Sequence, residues 1–198
     1  MRWSQTILLG ASTAMAANPA LMARAPTGSF NLYAYGDGIG GAPIIYNGES
    51  VYVGLPAAFS NSTEAAPVLF DLSDNVLTGN PNTTSSSSPS WSNVTMFIPA
   101  SGSSSHSIGF VSGSSSNSSI TTDGFLFYGQ AVLHKNSAGS LETLWYAIPT
   151  DVDRVWTLAW NSTSDSTNGT VPISLRSTAP TTTGFDFGNS TETTETTA

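Results

Sequence analysis

Past residue 25 the chain consists of short aromatic and β-branched runs separated by clusters of Gly, Pro, Asn and Ser. No window places apolar residues at three-to-four spacing behind a capping residue and ahead of a terminating Gly. The pattern predicts strands over 30–35, 43–46, 50–54, 67–72, 94–98, 107–111, 125–128, 131–135, 144–148, 155–160 and 171–176. In 155–160, Trp156, Leu158 and Trp160 alternate with Val155, Thr157 and Ala159; in 144–148, Leu144, Tyr146 and Ile148 oppose Trp145 and Ala147. Both strands are apolar on both faces, which places them centrally, joined through 149–154. About eleven strands in one unit of this length predict an all-β fold, with an antiparallel, jelly-roll-like β-sandwich as the expected arrangement. A barrel or a trefoil would use the same strand count.

The expected β domain covers residues 29–180. Two stretches inside it, 78–92 and 100–119, are dominated by Ser, Gly, Asn and Pro and read as long exposed loops, because such composition cannot offset its ordering entropy by burial. The second contains a short apolar run, Ile108 to Val111. From 181 the chain is Thr-rich and expected to be disordered. It lacks the hydrophobic tail of a glycolipid-anchor signal, so no membrane anchor is expected.

The N-terminus reads as a secretory leader over residues 1–17. Arg2 precedes a short apolar run, and Ala14-Met15-Ala16 offers a small-x-small cleavage site; Ala23-Arg24-Ala25 would place cleavage as late as 25. Cleavage at the later site would leave three cations, Lys135, Arg154 and Arg176, against thirteen carboxylates, a net charge of −10. No basic stripe is left to neutralise phosphates, which excludes nucleic acid as an expected partner. The chain has no cysteine, so disulfide frameworks, zinc-thiolate sites and cysteine nucleophiles are excluded. A core of this size can form without such staples.

Seven Asn-x-Ser/Thr acceptors, at Asn61, Asn82, Asn93, Asn117, Asn161, Asn168 and Asn189, agree with the leader. With roughly three residues in ten being Ser or Thr, the thirteen Asn would give about four acceptors by chance. All seven fall outside the predicted strands, as a bulky glycan requires. Between residues 121 and 160 there is none. That span is either the best-packed sheet, the plainer reading, or a binding face left bare.

Signals of catalysis are weak. Gly36-Asp-Gly-Ile-Gly-Gly41 matches the dinucleotide fingerprint, but a strand-like Ala42-Pro43-Ile44-Ile45-Tyr46 follows where a helix must open, so a glycine-rich strand connection is expected. There is no G-x-S-x-G elbow, and the two histidines, His106 and His134, are expected at the surface. A carboxylate pair for glycoside hydrolysis could come from Asp37, Glu49, Asp71, Asp123, Glu142, Asp151 and Asp153, but most sit in turns, where Asp is expected anyway. Asp151 and Asp153 could supply two oxygens to calcium, without identifiable further ligands. No cofactor and no metal are expected.

The aromatics suggest one more chemistry. Exposed rings flanked by amides can meet the apolar faces of sugars, and Tyr33, Tyr35, Trp91 and Trp145 near Asn31, Asn47 and Gln130 could form such a platform. Trp91 and Trp145 are the tryptophans expected to be exposed. The plainer reading puts Trp156 and Trp160 in the core and the two tyrosines half-buried on a strand.

The segments Ser29-Phe-Asn-Leu-Tyr-Ala-Tyr-Gly-Asp-Gly, Gly124-Phe-Leu-Phe-Tyr-Gly, Ser140-Leu-Glu-Thr-Leu-Trp-Tyr-Ala-Ile-Pro-Thr and Val171-Pro-Ile-Ser-Leu-Arg together resemble a group of small Ser/Thr-rich secreted proteins of filamentous fungi. Phe30-x-Leu-x-Ala34 with Gly41-x-Pro43-Ile44 is also similar to fungal cell-wall proteins of spore-bearing structures, which generally carry the cysteines this chain lacks. The resemblance implies a wall or culture-fluid protein open to O-mannosylation, and carries over no catalytic residue. The expectation is a non-enzymatic secreted glycoprotein with a structural or surface-interaction role and a cell-wall polysaccharide as its candidate partner. The alternatives are a carbohydrate-binding module and a glycoside-active enzyme.

Overall fold

The structure, a computed structural model, describes residues 25–83, 88–113 and 115–181. The expected leader 1–17, Asn189 and the tail beyond Thr181 lie outside these residues. The described part is all-β, with fifteen strands and a single 3-10 turn at Pro56–Phe59. The strands are β1 (Phe30–Asn31), β2 (Tyr33–Gly36), β3 (Ile39–Tyr46), β4 (Val51–Gly54), β5 (Ala66–Ser73), β6 (Val76–Pro81), β7 (Val94–Pro99) and β8 (Gly109–Ser112). They continue as β9 (Ile120–Thr121), β10 (Phe125–Tyr128), β11 (Ala131–Lys135), β12 (Leu141–Glu142), β13 (Trp145–Pro149), β14 (Val155–Trp160) and β15 (Val171–Arg176). No described helix is long and apolar enough to cross a membrane.

The pairing differs from the two face-to-face sheets of a sandwich. Six strands close antiparallel on one another in the order β2, β3, β4, β14, β13, β15 and back to β2. Closure removes the free edges that an open sheet would leave. Two extensions grow from this barrel. One leaves the end of β3 through Ile45 and Tyr46 into β5, then β6, β7 and β8, with β1 on β5 and β9 on β7. The other leaves β15 through the Ala131–Arg176 pair into β11, flanked by β10 and β12. The extensions meet where the Phe125 N–H donates to the Asn75 carbonyl and the Phe30 and Phe127 rings pack edge to face at 5.2 Å.

The glycine-rich motif is the β2–β3 connection. Gly36 pairs with Ile39 across a two-residue Asp37-Gly38 turn, and β3 starts at once, with no helix following. The register shifts at Ala34/Tyr35 opposite Gly41, whose φ is +92°. A Cβ there would lie 2.9 Å from the Tyr35 hydroxyl oxygen, so only glycine fits this bulge.

One core runs through barrel and extensions, and alternation decides its membership. Trp145, Ala147, Leu158 and Trp160 belong to it, while Tyr146 and Ala159 are buried on the opposite faces of their strands, against the loop carrying His106 and Ser107. Two expectations are corrected here. Trp145 is only 2% exposed and Trp91 only 7%, so neither forms a sugar platform. Trp145 pairs with Trp160 across the β13–β14 hairpin, ring to ring at 4.6 Å, and its indole N–H donates to the Val132 carbonyl. Trp91 folds back on Tyr46 at 5.0 Å and donates to the Glu64 carbonyl. Each indole thus hides its apolar body while its one donor finds a backbone oxygen. The stretch 78–92, expected as an exposed loop throughout, begins as the end of β6 and ends on buried Trp91.

Candidate functional site

The two histidines, placed at the surface by their sequence context, line one cavity of about 610 Å³. It lies where the extensions meet the barrel end marked by Trp160. Its walls are the end of β7 with the 100–106 segment that follows, the β9–β10 connection from Thr121 to Gly124, the end of β11 with the 136–138 turn, Glu142, Leu144 and the start of the β14–β15 loop.

His134 is the most constrained group. It sits on β11 between Phe125 on β10 and Glu142 on β12 and is 7% exposed, a correction to its expected surface position. Its ring meets Phe125 at 5.8 Å and Trp160 at 5.9 Å, both edge to face. Nδ1 is buried without a hydrogen-bond partner; the Glu142 Oε2 atom is 3.7 Å away, too far for a good bond. Such an unsatisfied buried atom costs about 1–3 kcal/mol, and sites that bind or react commonly retain one. Gly124, at φ +84°, lets the preceding turn close over the imidazole, since a Cβ there would approach Nε2 to 2.9 Å.

The β11–β12 turn fixes Glu142. The Asn136 side-chain N–H donates to Oε1 at 2.5 Å, while the Asn136 Oδ1 atom accepts from the Ala138 and Ser140 amides. His106 approaches from the opposite wall. Its Nδ1 lies 3.3 Å from the Trp160 carbonyl, its ring packs edge-on against Tyr146, and its carbonyl accepts the Trp160 amide. The Tyr146 hydroxyl donates to Asp165 at 2.5 Å and fastens the β14–β15 loop to β13. That bond, helped by Thr167, holds the Asp165 carboxyl down to about 2, whereas burial and the same carboxylate push the Tyr146 phenol above its usual range.

Asp123 and Lys135 complete the ionisable groups of the lining, and Trp160 and Leu144 supply apolar surface. Carboxylates accept from hydroxyls, the ammonium donates, imidazole can do either, and the apolar groups can meet ring C–H faces. Among the described residues no Ser or Thr hydroxyl is hydrogen-bonded to either histidine, and no group of three or more His, Asp or Glu is arranged to hold a metal ion. Asp37, Glu49, Asp151 and Asp153 are exposed in turns, and Asp71 accepts from the Ser29 hydroxyl, so only Asp123 and Glu142 of the seven carboxylates reach the cavity.

The platform residues are divided. Tyr35 and Gln130 do come together, with Arg176, around a shallower hollow of about 280 Å³. The Arg176 guanidinium already covers the Tyr35 ring at 5.2 Å, and the phenol donates to the Thr178 carbonyl. Tyr33 is half-buried on the same strand. Asn31 donates to the Val68 carbonyl and Asn47 accepts two turn amides, so both amides serve the fold.

The six described acceptors all lie outside strands; Asn61, Asn93, Asn117 and Asn168 are exposed, Asn82 and Asn161 half-buried. The acceptor-free span 121–160 supplies both the packed β13–β14 hairpin and one wall of the cavity. No family model matches the chain, and neither a characterised protein nor a solved structure is significantly similar to it.

Proposed function

We propose that the protein is a non-enzymatic, N-glycosylated extracellular protein, of a fungal wall or its surroundings, that acts by recognising a short saccharide in the cavity beside His134. The observation that carries this reading is the convergence of His134, Glu142, Asp123, Lys135 and His106 on one cavity whose 121–142 wall contains no acceptor. Hydroxyl-rich ligands need closely spaced donors and acceptors over a small apolar floor, and this lining has both. The acceptors in loops support the glycoprotein part, because a glycan there meets no core. The net negative charge of the chain favours a neutral partner over a polyanion.

The test is retention of the secreted protein on insoluble chitin, β-glucan and cellulose, beside Glu142→Gln and Asp123→Asn variants of matched thermal stability. Retention on one polysaccharide, lost in both variants, is the expected result. Absence of retention on all three removes the recognition reading, and unchanged retention in both variants moves it away from the cavity.

A further inference from the structure

Asn161 is an acceptor and also part of the cavity wall, together with Thr163 of its own Asn-x-Thr triplet; among the described residues no other acceptor lines the cavity. Its position is fixed from several sides. The Asn161 N–H donates to the Leu144 carbonyl at 2.8 Å, φ is +57°, and Oδ1 accepts the Thr163 amide at 3.2 Å. The Tyr146–Asp165 bond pins the same loop four residues on. With Oδ1 engaged by the chain, Nδ2 is the end left to carry a substituent. Beside it Leu144 is 40% exposed, an apolar group at the mouth of a polar cavity that packing does not account for.

We propose that a glycan on Asn161 folds back over the cavity, its innermost sugar seated on Leu144, and acts as a built-in lid that limits access to the His134–Glu142 site. This rests on the glycoprotein reading above and goes beyond it by giving one acceptor a regulatory role. The transfer itself is ordinary. Nδ2 of Asn161 attacks the anomeric carbon of a lipid-linked oligosaccharide pyrophosphate, the C–N bond forms, the C–O bond to the pyrophosphate breaks, and the lipid pyrophosphate leaves as the amide loses a proton. Folding then decides where the sugar lies. At Asn161 the root is rigid and an apolar seat adjoins it, a pairing that suits the C–H face of a hexosamine. Asn168, seven residues on in the same loop, is exposed, lies away from the cavity and serves as the internal control.

The experiment uses the full chain secreted from a glycosylating host. An endoglycosidase that cuts within the glycan core is applied to native and to denatured protein, and each site is followed by peptide mass spectrometry. The expected result is trimming at Asn161 about tenfold slower than at Asn168 in the native protein, equivalent to about 1.4 kcal/mol of seating, with equal rates after denaturation. Leu144→Ser should bring the native rate at Asn161 up to that at Asn168. Equal native rates, unchanged protection in Leu144→Ser, or an empty Asn161 beside occupied Asn117 and Asn168 would each overturn the lid and leave the glycoprotein reading standing. If no acceptor carried a glycan, both would fall.

Discussion

Replacing His134 with leucine should leave stability nearly unchanged while abolishing recognition. The imidazole is almost fully buried and its Nδ1 has no partner, so removing that nitrogen recovers about 1–3 kcal/mol of desolvation cost. Leucine has similar bulk but loses two edge-to-face contacts, with Phe125 and Trp160, together about 1–2 kcal/mol. Set against each other, these ranges leave between about 1 kcal/mol lost and about 2 kcal/mol gained, a change in Tm of no more than about 8 °C for a domain of this size. Glu142→Leu in the same background completes a double-mutant cycle. At 3.7 Å the two side chains should couple by less than about 0.5 kcal/mol. Thermal and urea unfolding give the stabilities, and polysaccharide retention gives the function. A loss of about 2 kcal/mol or more in the single variant would refute the reasoning, because it would mean that Nδ1 has a partner worth keeping.

Trp145→Ala should cost about 3–5 kcal/mol, since the indole fills the core against Trp160 and satisfies the Val132 carbonyl; urea midpoints check it. Gly41→Ala puts a side chain at φ +92° against Tyr35 and should destabilise by about 1–3 kcal/mol, read as a lowered Tm with an unchanged strand spectrum. Asp165 is held below its unfolded value of 3.8, so its contribution is present above that pH and is lost as pH falls through about 2. The Tyr146 phenol is shifted upward, so its contribution is present below pH 10 and is lost at higher pH. Tyr146→Phe should therefore flatten both limbs of the pH–stability curve, followed by thermal melts from pH 2 to 11.

The local grammar of the chain was legible where burial and punctuation agree. The strands β10, β11, β14 and β15 match their predicted bounds, because the apolar runs there end at Gly, Lys, Asn or Arg. Closure into a barrel was not legible, since it depends on β15 pairing with β2 across the whole chain, which no local pattern encodes. β6 was missed because its Thr78-Gly-Asn-Pro81 half opens the 78–92 stretch that reads as a loop, yet Gly79 is a strand residue whose missing Cβ makes room for Val68 and Phe110. Trp91 misled for the same kind of reason: polar neighbours in sequence say nothing about a ring that folds back on Tyr46. At the site, two histidines in unpromising contexts met only through the fold. The one sequence signal pointing there was the acceptor-free span, which bounds the wall carrying His134 and Glu142.

That there are two histidines in the chain, and both line the cavity, gives the central claim its cleanest measurement. The side-chain imidazole resonances of the secreted protein, with glycans removed, are followed by NMR while chitin, β-glucan and mannan oligosaccharides are titrated in. Recognition in the cavity predicts that one of these sugars shifts both imidazoles along a single saturable curve, with Arg176 and Gln130 unmoved. Saccharide binding that shifts Arg176 and Gln130 and leaves both imidazoles in place would contradict it.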